Sequence, residues 1–202
     1  MLTFEEGPHL YRWHGKPVPS VTQVLGQLTS YDRIPAESLK RARQKGVAVH
    51  RTVELHAKDD LDEETLPEWL RPPLAAFKQF VADTGFRIVE SERRVFHPTY
   101  GYAGTADLFG TIRVKRGRSE VEQTACVDLK RSLYAGRAIG LQLIGYVKAR
   151  ETEPGSERIQ RRFALVLSET GKYALTEFDD PSDFTNFLAC LTVHRLKENT
   201  NV

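Results

Sequence analysis

The chain has 202 residues, with 29 Lys and Arg against 27 Asp and Glu, for a formal net charge of +2. This length suits one domain with a real core, and 28% charged with 40% hydrophobic residues is the composition of a soluble globular protein. Two cysteines are too few for an iron–sulfur cluster or a zinc site held by four thiolates. No apolar run approaches the ~18 residues of a membrane span, and the N-terminus lacks a signal-peptide pattern. We therefore expect a cytoplasmic protein with no membrane partner.

Two helices are predicted in the first part of the chain. Residues 39–57 repeat apolar side chains at helical spacing, although Gly46 is able to break or kink this helix. Residues 67–84 repeat bulky apolar side chains in the same way, and Gly85 is placed to cap the C-terminus. Residues 1–85 are therefore predicted to be mainly helical.

The apolar period shortens to that of strands after residue 86. Residues 137–151 interrupt the strands with helical spacing, and a strand, helix, strand order implies a crossover packed on the sheet. A terminal helix is predicted at residues 181–197, with Ser182 as its N-cap. The predicted fold class is α/β, a mixed central sheet flanked by helices in a single domain. Its sheet core spans residues 86–178 and a C-terminal helical part spans 179–202, and the predicted strands are residues 87–96, 103–114, 124–132, 162–167 and 173–178.

The third predicted strand, A-C-V-D-L-K, places two opposite charges on one face. Side chains alternate along a strand, so Asp128 and Lys130 project to one side and Leu129 to the other. An ion pair at a sheet edge is one explanation of this pattern. Asp107, in G-T-A-D on the preceding strand, offers a second carboxylate that hairpin pairing can bring beside Asp128. The two carboxylates and the Leu129 carbonyl could then hold one hard cation, with the Lys130 ammonium facing a phosphate or an attacking water.

Basic residues cluster along the chain, although the net charge is too mild to indicate a polyanionic partner. Acidic residues concentrate elsewhere, at residues 59–64 and 179–183. This segregation suits a phosphate backbone lying along one face, while solvated charge runs are the commoner explanation for any one cluster. The residues that we predict to contact DNA phosphates are Arg41, Arg43, Lys45, Arg51, Arg131 and Arg137.

Several motifs, taken in order, resemble the PD-(D/E)XK nuclease superfamily. They are G-T-A-D at 104–107, V-D-L-K at 127–130 and Q-L-I-G-Y at 142–146. The upstream G-V-A-V-H-R-T-V-E, which contains His50 and Glu54, narrows the resemblance to the RecB-like exonuclease branch. V-P-S-V-T-Q-V-L at 18–25 also resembles the N-terminal motif of small phage and mitochondrial members. Each motif is weak alone, and their order along residues 18–146 carries the resemblance.

The resemblance implies a restriction-endonuclease-like core and a deoxyribonuclease that uses one or two Mg²⁺ or Mn²⁺ ions. Tyr146 also lies on the apolar stripe of its helix, so a core role is the alternative for that residue. Glu54 and Glu92 are candidates for tuning the metal site, and Glu92 is equally well explained as a surface strand residue. The implied catalytic residues are Asp107, Asp128, Lys130, Gln142 and Tyr146, and the implied metal ligands are His50, Asp107, Asp128 and the Leu129 carbonyl.

The expected substrate is DNA with ends or single strands, in replication, recombination or repair. No P-loop pattern occurs, so we expect no nucleotide cofactor, and any helicase or other recombination or replication partner would be a separate chain. With two cysteines, the iron–sulfur subgroup of the branch is excluded. A site-specific or structure-specific endonuclease and a non-catalytic DNA-binding module stay open as alternatives. The expected location is the host cytoplasm if the protein is phage-encoded, and a mitochondrial location also stays open.

Overall fold

The computed structural model describes residues 1–28, 35–117, 119–131 and 136–200, except the side chains of Arg137 and Thr200. Eight strands and five α-helices lie in these ranges. The strands are β1 Leu2–Glu5, β2 Leu10–Trp13, β3 Lys16–Val18, β4 Arg87–His97, β5 Tyr102–Arg116, β6 Ser119–Lys130, β7 Arg161–Leu167 and β8 Tyr173–Glu177. The helices are α1 Val21–Leu25, α2 Ala36–Ala57, α3 Arg71–Thr84, α4 Arg137–Arg150 and α5 Asp183–Thr200, with short 3-10 turns at Gly26–Leu28 and Glu68–Leu70.

The central sheet has five strands in the order β4-β5-β6-β7-β8. β6 and β7 run parallel, and the other neighbours run antiparallel. A parallel pair needs a long crossover connection, and α4 lies in the connection between β6 and β7. The predicted mixed sheet flanked by helices is therefore confirmed.

Each face of this sheet is covered by its own apolar layer. On one face, α1, α4 and α5 pack against side chains that include Cys126 of β6. On the other face, α2 and α3 pack against side chains that include Val127 and Leu129 of the same strand. Because β6 alternates in this way, Asp128 and Lys130 are directed to the α4 side, and they share the face opposite Leu129 as the sequence pattern predicted.

The two predicted N-terminal helices are present with altered bounds. α2 continues through Gly46 without a break, and a Cβ at that half-buried position would meet no other atom within 4 Å. The second helix is divided into a 3-10 turn and α3, with prolines in the first turn of α3, where a missing backbone N–H costs nothing. Gly85 ends α3 in the left-handed conformation with φ 61, as predicted.

The strand bounds differ from the prediction mainly in β6. This strand begins at Ser119 rather than 124, since the polar residues at its start pair with the end of β5 in a hairpin that leaves the apolar core. It ends at Lys130, and the predicted end at residue 132 lies outside the described residues. α5 begins at Asp183, so Ser182 stands at the predicted N-cap position, where its carbonyl accepts from the Asn186 backbone N–H at 3.0 Å. Its hydroxyl donates to Asp180 Oδ1 at 2.7 Å.

A small N-terminal sheet of β1, β2 and β3 was not predicted. Its strands have three or four residues, too few to establish an alternating pattern in the sequence. Trp13 stacks on Phe96 of β4, and the Tyr11 hydroxyl lies 2.7 Å from Thr105 Oγ1 of β5, which attaches this sheet to the core. Among the residues that the structure describes, no helix has both the length and the apolar composition that a membrane crossing requires.

Candidate active site

The candidate site lies where β5 and β6 stop pairing. Their antiparallel ladder runs from the Arg116–Ser119 pair to the Leu108–Val127 pair. Asp107 and Asp128 follow directly after that last pair, one on each strand. At this point Asp107 Oδ2 accepts a hydrogen bond of 2.6 Å from the Leu129 backbone N–H. A buried carboxylate thus takes a position that a backbone carbonyl would occupy in a continuing ladder.

Three side chains converge beside this point. One ligand atom each from His50, Glu92 and Asp107 lies within 4.8 Å of the others. His50 Nδ1 is 3.3 Å from Asp107 Oδ1, and its Nε2 is 3.1 Å from the Leu129 carbonyl oxygen. The sequence reasoning placed His50, Asp107 and the Leu129 carbonyl together, and the structure does bring these groups into contact.

The acidic surroundings hold a proton on His50. Burial alone would lower the pKa of this imidazole, but the charge and hydrogen bond of Asp107, with the charges of Asp128 and Glu92, raise it to about 9. Burial would likewise raise the pKa of Asp107, but His50, Lys130 and the Leu129 amide outweigh it and lower that pKa. His50 and Asp107 therefore form a charged pair at neutral pH, with both imidazole nitrogens able to donate.

Glu92 enters this cluster through an unusual backbone conformation. It lies in β4 between the Ser91–Leu108 and Arg93–Ala106 pairs, opposite Asp107, and has φ 50. A left-handed conformation at a non-glycine residue costs about 1–3 kcal/mol, so the surrounding structure must enforce it. Burial, and next the Asp107 charge, raise the pKa of Glu92 to about 7. A bound cation would offset the repulsion between the carboxylates of Glu92 and Asp107.

A second network joins β6 to α4. Lys130 Nζ lies 2.6 Å from Asp128 Oδ2 and donates to Gln142 Oε1 at 3.2 Å. Gln142 Nε2 donates to Asp128 Oδ1 at 3.2 Å and to the Tyr146 hydroxyl at 2.9 Å. The ion pair suggested by the sequence is thus present, and it is extended by two side chains one turn apart on α4.

Asp128 is the most enclosed charge of this network. Its side chain is 2% exposed, and burial, opposed by Lys130, raises its pKa to about 6. The Lys130 ammonium lies against Asp128 Oδ2, and Gln142 Nε2 donates to Asp128 Oδ1, so both oxygens of this buried carboxylate have a partner in the network.

These groups fit a divalent cation of the hard or borderline class. Carboxylates, a backbone carbonyl and one imidazole suit Mg²⁺ or Mn²⁺. The cluster that lies within 4.8 Å contains Glu92, whereas Asp128, which the sequence reasoning placed with Asp107, pairs with Lys130. Sequence reasoning named Glu92 only as a residue that could tune the site.

Close packing fixes the position of α4 relative to the strands. A Cβ at Gly104 would lie 2.6 Å from Tyr146 Cε1, so only glycine lets the Tyr146 ring lie against β5. Arg162 of β7 donates to Asp183 Oδ2 at 2.8 Å and to the Gly140 carbonyl at 3.3 Å, with both side chains about one-tenth exposed. Sequence reasoning missed this buried pair, because Arg162 belongs to the basic run R-I-Q-R-R at residues 158–162, which is typical of a solvated surface.

Glu54 lies outside the ligand cluster. Its Oε2 accepts from Arg51 Nη1 at 2.7 Å, and its Oε1 accepts from Lys58 Nζ at 2.5 Å. Arg51 lies on α2 and Lys58 directly follows its last residue, so local pairing at three- and four-residue spacing accounts for Glu54. Arg51, predicted to contact DNA, is engaged in the same pairing.

The other predicted DNA-contacting residues have varied surroundings. Arg41 pairs with Glu37 one turn earlier on α2, at 3.3 Å. Arg43 is exposed and forms no ion pair within the described ranges. Lys45 and Arg131 both contact Glu169, at 3.3 and 2.5 Å. The side chain of Arg137, at the start of α4, lies outside the described part of the chain.

Comparison with known proteins leaves the family unassigned. No protein-family model matches the chain, and no curated protein matches it. The crystal structure of LHK-Exo in complex with dAMP aligns with a TM-score of 0.40 and 13% identity, over 91% of this chain and 89% of that chain. The alkaline exonuclease LHK-Exo from Laribacter hongkongensis aligns with a TM-score of 0.33 and 14% identity, over 91% and 93%. Similarity at this level carries no argument about function, which has to rest on the site itself.

Proposed function

We propose that this protein is a Mg²⁺- or Mn²⁺-dependent deoxyribonuclease that hydrolyses phosphodiester bonds, acting as an exonuclease on DNA ends or single strands. The observation that carries the proposal is the cluster of His50, Glu92 and Asp107 beside Lys130, where β5 and β6 separate. Metal-assisted phosphodiester hydrolysis needs a cation site and a positive charge beside it, and both occur where β5 and β6 stop pairing. The ordered motifs that resemble the RecB-like branch of PD-(D/E)XK nucleases support the same proposal.

His50, Glu92, Asp107 and the Leu129 carbonyl are the groups that would hold the cation. The bound cation would lower the pKa of water and polarise the scissile phosphate. His50 would bind a cation only as neutral imidazole, so metal binding would release its extra proton to solvent. Its Nε2 stays against the Leu129 carbonyl, which fixes the ring orientation.

Lys130 supplies the positive charge that stabilises the transition state. Asp128 and Gln142 hold its ammonium between them, so no side-chain reorganisation is needed when charge develops on the phosphoryl oxygens. Gln142 is fixed in turn by Tyr146, whose ring is buried against β5. Gln142 and Tyr146 thereby orient Lys130, in addition to any contact with the DNA strand.

A cleavage time course on three substrates tests the proposal. Linear single-stranded DNA, linear duplex and closed circular DNA are incubated with the protein in Mg²⁺, Mn²⁺, Ca²⁺ or EDTA. We expect products shortened from an end in Mg²⁺ or Mn²⁺, and little turnover in Ca²⁺, which is larger and activates water less well. Discrete fragments from closed circles would instead identify an endonuclease. Binding without products would identify a DNA-binding module, and full activity in EDTA would overturn the metal-dependent mechanism.

A further inference from the structure

Two cations from different parts of the fold meet on one carboxylate oxygen next to the candidate site. Glu169 Oε1 lies 2.5 Å from Arg131 Nη2 and 3.3 Å from Lys45 Nζ. Glu169 belongs to the turn between β7 and β8, Arg131 directly follows β6, and Lys45 lies on α2. Three separate elements thus place one negative and two positive groups at the same point.

The contact is made by residues that lie close in sequence to the candidate site. Arg131 is the neighbour of Lys130, and Lys45 precedes His50 on α2 by about 7.5 Å along the helix axis at 1.5 Å per residue. β6 and β7 are parallel, so the chain segments that follow them meet at the same edge of the sheet. A DNA strand bound at the cluster would have a neighbouring phosphate within reach of this pair of cations.

The two cations are held in place, whereas the carboxylate is readily exchanged. Lys45 Nζ lies 5.9 Å from the centre of the Trp69 ring, and the Arg131 side chain is only 28% exposed. The Glu169 side chain is 60% exposed, and its turn is closed by hydrogen bonds of Ser168 with Lys172 that do not involve the carboxylate. Ion pairs this exposed contribute little, so a phosphate with more partners can replace Glu169 at small cost.

From this geometry we infer that Lys45 and Arg131 form a phosphate subsite for the DNA strand, and that Glu169 occupies it as an internal phosphate mimic until DNA displaces it. This inference rests on the proposed function, because it assigns a neighbouring phosphate to the same DNA strand. It adds to that function a subsite with defined residues and a built-in competitor. Glu169 is then a residue whose removal strengthens DNA binding.

The test measures binding of a fluorescein-labelled single-stranded oligonucleotide in Ca²⁺, which should permit binding with little turnover. We expect Glu169→Gln to bind about threefold to fivefold more tightly than the wild type at low salt, with the gain shrinking as salt rises. Glu122→Gln is the matched control, because Glu122 is also an exposed carboxylate paired with arginine, at 2.5 Å from Arg87 towards the β5–β6 turn. It removes the same charge and should change affinity by less than about twofold.

A double-mutant cycle separates the subsite from a general charge effect. In the Lys45→Ala/Arg131→Ala background, Glu169→Gln should give no gain, because the cations it uncovers are absent. Equal affinities for Glu169→Gln and Glu122→Gln, or a gain that persists in the Lys45→Ala/Arg131→Ala background, would overturn the inference. Wild-type protein that binds the oligonucleotide but leaves it intact in Mn²⁺ would overturn the nuclease function alone. Cleavage with no difference between the two glutamine variants would overturn the subsite alone.

Discussion

Replacing Lys130 with alanine removes the charge proposed to act in the transition state. The ammonium is fixed by Asp128 at 2.6 Å and by Gln142 at 3.2 Å, so the enzyme would lose a preorganised donor. One such donor contributes about 3–4 kcal/mol, which corresponds to a loss of about 10²- to 10³-fold in single-turnover rate. Lys130→Arg should recover only part of this rate, because a planar guanidinium does not reproduce the position of a compact ammonium.

The same substitution also affects stability, through the buried Asp128. Breaking a buried ion pair costs up to about 3–5 kcal/mol, but Lys130 is 23% exposed and Asp128 keeps its bond to Gln142. Asp128 can also take up a proton, since its pKa is already about 6. We therefore expect a loss of about 1–3 kcal/mol, or a Tm lowered by about 3–10 °C for a chain of this size, with the fold retained.

The stability loss has a defined pH dependence in the metal-free protein. The folded-state pKa of Asp128 lies above its ordinary value, so the folded protein binds this proton more tightly than the unfolded chain. Without Lys130 this pKa rises further, because the nearest positive charge is gone. Melts of Lys130→Ala in EDTA should thus show the largest deficit at pH 8, and the deficit should shrink as the pH falls towards 4.

A control variant that is destabilised but keeps the site intact separates the loss of stability from the loss of cleavage rate. Leu191 is 2% exposed in α5, packed in the layer between α4, α5 and the sheet, so Leu191→Ala should lower the free energy of unfolding by about 2–5 kcal/mol. It touches neither network of the site and should cut DNA at nearly the wild-type rate at 25 °C. Single-turnover cleavage with saturating enzyme is measured beside thermal melts of every variant. Near-normal cleavage by Lys130→Ala would mean that Asp128 and Lys130 form only a structural ion pair, and would refute the proposed role of Lys130 in the transition state.

Three further predictions concern the cation and the DNA-binding face. Millimolar Mn²⁺ should raise the Tm of the wild type but not of Asp107→Asn, which should also lose cleavage; an equal rise in both proteins would place the metal elsewhere. Glu92→Asn should raise the Tm of the metal-free protein, because asparagine tolerates φ 50 and carries no charge. The same variant should lose both the Tm rise in Mn²⁺ and DNA cleavage. A lowered Tm in EDTA would contradict the strain argument. The triple variant Arg41→Ala/Arg43→Ala/Lys45→Ala should weaken DNA binding without changing which sequences are cut; an unchanged slope of log affinity against log salt would mean that these residues do not contact DNA.

The central sheet could be predicted because apolar side chains repeat every two residues along its strands, as packing against the core requires. Val127 and Leu129 pack in the apolar layer under α2 and α3, so apolar residues that face this layer recur at every second position of β6. The N-terminal sheet has no comparable signal, since strands of three or four residues hold at most two inward positions. Its position depends on the Trp13–Phe96 stack, which joins residues far apart in sequence.

Side-chain partners were harder to predict than backbone positions. Gln142 and Tyr146 could be paired from their spacing, because residues four apart share a helix face. Arg51 and Glu54 are three residues apart and also share a helix face, and that local contact accounts for two residues to which the sequence assigned separate roles. Arg162 shows the limit of charge counting: its partner, Asp183, comes from another element, and the sequence gives no sign of their pairing.

Glu92 is the residue whose role depends most on information absent from the sequence. In the segment R-I-V-E-S-E-R-R it is one of several charges on a strand at the edge of the sheet, and such charges are usual at an edge. What distinguishes it is φ 50, which the pairs on either side impose on it and which directs its carboxylate towards His50 and Asp107. A strained conformation persists only where the rest of the fold is strong enough to enforce it. The free energy of the sheet is therefore partly spent on holding a second acidic ligand beside Asp107.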